Sequence, residues 1–512
     1  MVNDWKIFRW SIFALFAVEF TSFCGWLTPA INKGVFLLLI AIALVASIKR
    51  LEFGLWLVLI ELFIGSKGYL FWYEIGTNRL SIRIGLWLVV MLVWAVGTLF
   101  KLSKTRSLSY WRSKIKSKNL LPPFLLLCAF VLFGAVNGLL HHVRIKDIFL
   151  DANAWFYLAL LGPAYTVFAS EGVMRRFWQV FWAATTWLAI KTIFLLFIFS
   201  HEQTTMIVLL YRWVRDTGIG EITQIQGGFY RIFIQSQVFN LLALLFAVAT
   251  LRDALKTKSL SLKDAVASQK FRAAFWFFTI NLVVTLLSFS RSFWVALLAV
   301  SPFYLWWMAK GAGELKIKLL TLSRLAIFGA CSAAVAAFII YSSIAFPYPR
   351  PLGGFSAAGL FSSRATNTNE SAIGSRWALL PKLWQSITES PILGKGFGAS
   401  VTYISKDPRV LEKNPKGEYT TSAFEWAWLD IWLKIGILGL LSYLYLLYRI
   451  GFEDWSKGAA HVDYPPAGLL SLGLILLSVM HVFTPYLNHP LGLGYLVIAI
   501  AIIDARHLKV SE

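Results

Sequence analysis

Residues 34–48 read GVFLLLIAIALVASI, an apolar run without a single charge that Lys49 and Arg50 close. Runs of this kind recur along the whole 512-residue chain, and the charged residues are bunched between them. A helix needs roughly 20 mostly apolar residues to cross a hydrocarbon core about 30 Å thick. Since no water satisfies backbone groups there, the crossing segments must be helical. The composition agrees: 58% of residues are hydrophobic and 16% aromatic, and only 14% are charged, against about 25% in soluble domains.

The runs predict spans at 10–25, 34–48, 52–66, 84–100, 121–139, 148–168, 177–199, 230–250, 273–288, 293–308, 322–345, 425–448, 466–484 and 489–505. The expected fold class is an all-α polytopic integral membrane protein with about 12–14 transmembrane helices. It forms one domain over 1–512, with a large extracytoplasmic loop at 346–424. The first run has the basic-then-apolar order of a secretory signal, yet it lacks a small-x-small cleavage site and carries Glu19, so it reads as an uncleaved span. Cys24, Cys128 and Cys331 lie in or beside apolar runs without ligand spacing, so neither a disulfide framework nor a metal site is expected, and no cofactor.

Basic residues set the orientation, because short basic loops resist translocation. One alternating set of loops, which includes 101–118 (KLSKTRSLSYWRSKIKSK) and 251–272, holds 27 of the 48 lysines and arginines. The opposite set holds 19, of which nine fall in the long 346–424 loop. Both termini are therefore expected in the cytoplasm. The net charge of +22 is a topological label divided among short segments beside lipid, which argues for contact with membrane lipids and against nucleic acid.

With that orientation, several polar residues fall at the outer boundary. Arg231 opens a span in GGFYRIFIQSQVFNLL, with Gln235 one helical turn on and on the same face. Arg291 lies in LLSFSRSFWVALL, where the chain barely leaves the bilayer. Arg376 starts an amphipathic surface helix in GSRWALLPKLWQSITESPILGKGFG, with Trp377, Leu380, Trp384 and Ile387 as its apolar stripe and Ser375 as a possible cap. Pro391 ends that helix, and Gly394, Gly396 and Gly398 allow a tight turn. The turn is either a plain helix-to-loop connection or one whose amides, with Lys395, touch an anion; it lacks a dinucleotide or Walker fingerprint.

Glu425 enters the twelfth span without a partner three or four positions ahead, whereas Asp430 and Lys434 are spaced to pair on one helix. An acid near arginines at a membrane surface is a functional candidate, and a single anchoring salt bridge to one of them is the competing reading. Single boundary arginines are commonly snorkelling anchors. Glu19, Glu61 and Lys191 inside apolar runs are expected to pair between helices, and His489 in TPYLNHPLGLG is a weaker outer-face candidate.

The segments SFSRSFWVALL, GSRWALLPKLWQSITESPILGKGFGAS and EWAWLDIWLKIGILGLL, in this order around one large loop, resemble the bacterial O-antigen ligase and polymerase superfamily over about residues 225–450. FYRIFIQSQVFN is similar to the arginine that precedes a central span in that family. The resemblance implies a multi-pass membrane glycosyltransferase of the bacterial inner membrane, acting on the outer leaflet without metal. It would take a glycan from undecaprenyl diphosphate and pass it to a glycan or lipid acceptor. By motif, the family arginines fall on Arg231, Arg291 and Arg376. Many ligases carry a histidine-asparagine pair where this chain has Glu425-Trp426, which leaves the base, and the choice of ligase or polymerase, open.

In such a reaction Arg291 and Arg231 would stabilise the leaving diphosphate and Glu425 would accept the hydroxyl proton. Arg376, Gln235, Lys395 and Gly396 would bind substrate. The alternative class is a polytopic transporter or flippase for lipid-linked glycans or acidic solutes. Carriers usually hold substrate at the midplane between related halves, and no internal repeat is visible here.

Overall fold

The computed structural model describes residues 5–76, 78–105, 119–170, 172–255, 262–310, 315–356, 359, 371–405, 407–412, 414–456 and 465–511. Among them, ten helices are long and apolar enough to cross a membrane, from Lys6–Leu27 to Ala427–Trp455. Shorter apolar helices, Leu51–Ile64 and Leu469–His481, pack among them, and Pro490–Ser511 closes the bundle. The chain is an all-α polytopic membrane protein.

Side-chain contacts sort the helix ends into two faces. At one end, Glu52 pairs with Arg176, Asn119 bonds Glu453, Arg506 bonds Asp454 and Trp307 bonds the Ala467 carbonyl. At the other, Asn32 clamps Trp72, Ser66 meets Ser236, His201 meets Phe346, and Asn488 meets Asp430. Three antiparallel hairpins lie at this second end: Trp72–Ile75 with Asn78–Ser81, Gly220–Gln226 with Phe229–Ile234, and Val401–Ile404 with Glu418–Thr421. Strands pair their own backbone groups and so suit chain that emerges from lipid.

Several expectations change in detail. The span expected at 230–250 is a helix only from Val238, because residues 229–234 are a strand and 235–237 a 3₁₀ turn. The crossing expected at 148–168 is broken into Ile145–Ala152, a 3₁₀ segment Asn153–Leu160 and Leu161–Phe168. The surface helix runs from Ser371 to Thr388, so Ser375 lies inside it and bonds Ser405 instead of capping. Its buried face is Leu379, Leu383 and Ile387, whereas Trp377 and Trp384 are exposed and meet Trp426 and Trp432 edge to face at 5.4 and 5.6 Å. The stripe of tryptophans thus lies over the mouth of the Ala427–Ser456 helix.

Charges inside the bundle are paired. Lys191 Nζ lies 2.6 Å from Glu19, and Arg83 grips Glu61 through Nε at 2.7 Å and Nη2 at 3.1 Å. The expected Asp430–Lys434 pair is present at 2.6 Å, joined by Asp151 at 2.5 Å from the same ammonium. A lone ion in lipid is costly, and a hydrogen-bonded partner removes most of that cost.

Candidate functional site

The five polar candidates outside the glycine turn all sit at the hairpin end. Arg231 lies mid-strand opposite Thr223, so it does not open a helix, and Gln235 does not share a helical face with it. The correction has a physical cause. The pattern GGFYRIFI carries aromatic and β-branched residues after two glycines, which suits a hairpin return as well as the start of an apolar helix.

From the strand, Arg231 Nε donates to the Ser288 carbonyl at 2.8 Å, and the guanidinium lies over the Phe233 ring at 4.7 Å. Ser288 ends the Gln269–Ser288 helix, and Arg291 begins the next one three residues later. The link between them turns sharply, with Phe289 at φ 43°. Hence the hairpin arginine is delivered to the turn that presents Arg291.

Arg376 and Glu425 form a salt bridge, with their side chains 35% and 48% exposed. The indole N–H of Trp426 donates to the Arg376 carbonyl at 3.0 Å and fixes the helix against the strand end. The connection 482–489 reaches the Trp426 ring on one side and the Gln235 backbone on the other. Phe483 packs against Trp426 with ring centroids 6.2 Å apart, and the Tyr486 hydroxyl donates to the Gln235 carbonyl at 3.3 Å. Burial raises the Tyr486 phenol and the nearby Arg231 charge opposes that rise, which places the two side chains within electrostatic reach.

Lys395 and Gly396 face a different neighbour. The Lys395 ammonium pairs with Glu389, its amide donates to the Leu433 carbonyl at 2.7 Å, and the Gly396 amide donates to the Lys434 carbonyl at 3.1 Å. Gly396 has φ +86°, and a Cβ there would sit 2.1 Å from the Gly138 nitrogen. The glycines therefore let the turn press onto the Leu121–Leu140 helix, and these two amides are taken by carbonyls. The packing reading of the turn explains all of these contacts.

Beside Glu425 lies a cavity of about 150 Å³ bordered by Phe424, Asp151, Asp430, Lys434, Asn488 and His489, among others. It is roomy enough for several waters or one small polar group. The Asn488 amide donates to Asp430 at 2.6 Å, while its Oδ1 has no hydrogen-bond partner among the described residues. His489 lies outside the spanning helices. Burial, then Arg83 and Lys67, push its imidazole down to about 3, so it is neutral at physiological pH. Asp151, Tyr486 and Asn488 were not singled out from sequence. The available signal was the run of polar residues in PYLNHP between two apolar helices. Among the described residues no three His, Cys, Asp or Glu side chains are grouped as metal ligands.

No curated protein matches the chain. Residues 273–444 match the family described as O-antigen ligase, a segment that runs from the helix before Arg291, through Arg376 and Glu425, and into the helix that carries Lys434. Arg231 lies outside the matched segment and reaches it through Ser288. Residues 273–444 are thus similar to the O-antigen ligase family.

Proposed function

We propose that the hairpin end of the bundle faces the extracytoplasmic side of a bacterial inner membrane and transfers a glycan from undecaprenyl diphosphate to a sugar hydroxyl of a glycan or lipid acceptor. The observation that carries this reading is the contact of Arg231 with the Ser288–Arg291 turn, within the matched segment that also supplies the Arg376–Glu425 pair. The acceptor oxygen attacks the anomeric carbon, the bond from that carbon to the diphosphate oxygen breaks, and the lipid diphosphate leaves with the electron pair. The hydroxyl proton passes to the Glu425 carboxylate.

Negative charge grows on the diphosphate as its bond breaks, and Arg291 and Arg231 meet it. A guanidinium suits this role because its planar fork pairs with phosphate oxygens and stays charged at any relevant pH. A fixed donor aimed at developing charge is worth about 3 to 4 kcal/mol, or roughly 100- to 1000-fold in rate. Arg376 holds the Glu425 carboxylate in place and orients it toward the acceptor, and Gln235 shapes the approach of the glycan, whereas Lys395 and Gly396 serve the packing of the turn. General-base help of this kind contributes about 100- to 10,000-fold.

The test is purified chain in lipid nanodiscs with a lipid-diphosphate glycan and a candidate acceptor sugar. An enlarged glycan must form without a sealed compartment, which a transporter does not achieve. Glu425→Gln must abolish transfer while donor binding survives. Full transfer by that variant removes Glu425 from the mechanism, and absence of any product from the wild type removes the enzyme reading.

A further inference from the structure

A second cavity, about 440 Å³, opens at the same end of the bundle but on the N-terminal side, outside the matched segment. Its walls come from the end of the first helix (Trp26), the start of the second (Asn32, Lys33), the first hairpin (Trp72, Glu74, Arg79) and the end of the Thr204–Asp216 helix. The volume lies in the range of small-ligand sites, about 300–1,000 Å³.

The walls are held in place by their own polar contacts. The Trp26 indole donates to Asp216 at 3.0 Å, and the Trp72 indole donates to Glu74 at 3.3 Å. Asn32 clamps the Trp72 backbone in both directions, at 2.7 and 3.3 Å. Arg79 lies over the Trp72 ring at 4.8 Å and 3.8 Å from Glu74. Each carboxylate is thus positioned by an indole, and the four exposed charges Lys33, Arg79, Glu74 and Asp216 sum to zero.

That charge balance decides the ligand class. A phosphate needs unopposed cations, and here Arg79 already faces Glu74. A hydroxyl-rich neutral molecule needs fixed donors and acceptors of both kinds beside an aromatic wall. We infer that this cavity binds a short neutral segment of the glycan chain, two or three sugars, at a distance from the reacting bond. The inference rests on the glycosyl-transfer reading for the origin of the glycan. Asp216 precedes by a few residues the Gly220–Gln226 strand, whose partner strand bears Arg231, so the cavity wall is continuous in the chain with that hairpin.

The test is direct binding, independent of transfer. The probe is a set of short oligosaccharides, freed of lipid by mild acid from the envelope polysaccharide of the producing cell. They are titrated by calorimetry into the full chain in nanodiscs. Wild type and Arg291→Lys are expected to bind alike, while Glu74→Gln and Asp216→Asn each raise Kd about tenfold and Trp26→Ala raises it further. The two conservative carboxylate changes lie at exposed positions and keep the fold testable.

The inference is overturned if the wild type binds none of the oligosaccharides, or if the cavity variants bind as tightly as the wild type. It is also overturned if those variants lose only a co-purified zwitterionic phospholipid in native mass spectra, which would make the cavity a headgroup site. Loss of transfer with intact glycan binding sinks the catalytic proposal and leaves this one standing.

Discussion

Replacement of Arg231 by lysine isolates what the guanidinium fork does, because the charge is kept. The change removes the donor to the Ser288 carbonyl at 2.8 Å, a charge-assisted bond worth about 1.5–3 kcal/mol in a partly buried setting. It also weakens the stack on Phe233 at 4.7 Å, worth about 0.5–1 kcal/mol. If the arginine acts mainly on charge that develops in the transition state, kcat falls by roughly 100- to 1000-fold. The stability loss is at most about 2–4 kcal/mol from these two contacts, and the hairpin keeps its backbone ladder from Gly220↔Ile234 to Gln226↔Phe229. The assay measures initial rates of glycan transfer in nanodiscs, with thermal unfolding and donor affinity recorded on the same preparation. A kcat within threefold of wild type, in a protein that melts normally, refutes the assignment of Arg231 to the leaving group. A fall in melting temperature matched by a proportional loss of active protein would instead make Arg231 a clamp for the Ser288 turn.

Gly396→Ala is expected to lower stability by about 2–5 kcal/mol, since the left-handed backbone at φ +86° costs an L-residue about 1–2 kcal/mol and the new methyl is forced against Gly138. A thermal melt of the solubilised protein reads this, and an unchanged melt means the turn does not press on that helix. Lys191→Met leaves Glu19 buried without its cation and is expected to cost about 3–5 kcal/mol. Adding Glu19→Leu restores most of that loss, and a double variant no better than the single one refutes the pairing account. For His489, whose folded value is about 3 against an ordinary 6.5, the unfolded chain binds the extra proton between those values. Stability from this group is therefore complete above about pH 6.5 and is lost as pH falls toward 3. His489→Gln should flatten the melting profile below pH 6.5, and an unaltered slope shows that the imidazole is solvated.

Much of the architecture is legible in local sequence. Residues 34–48 offer a water-free environment nothing except a helix, so the spans and the surface helix before Pro391 can be read directly. The i, i+4 spacing of Asp430 and Lys434 likewise announces its own pair. Where chain leaves the bilayer that constraint lapses. GGFYRIFI then satisfies its backbone in a hairpin, and reading it as the start of a helix puts Arg231 and Gln235 on one face by mistake. The stripe at Trp377 and Trp384 has helical spacing, yet the tryptophans pack edge to face on Trp426 and Trp432 while Leu379, Leu383 and Ile387 fill the interior.

What the sequence by itself determined is the all-α polytopic class and most of the membrane helices, because burial in hydrocarbon acts on each segment separately. Which polar residues meet was decided only by tertiary packing. Glu19 finds Lys191 across 172 positions, Asp151 reaches Lys434 across 283, and Arg231 reaches the Ser288 carbonyl across 57. Such partnerships depend on how whole helices lie against one another, and no local pattern encodes them.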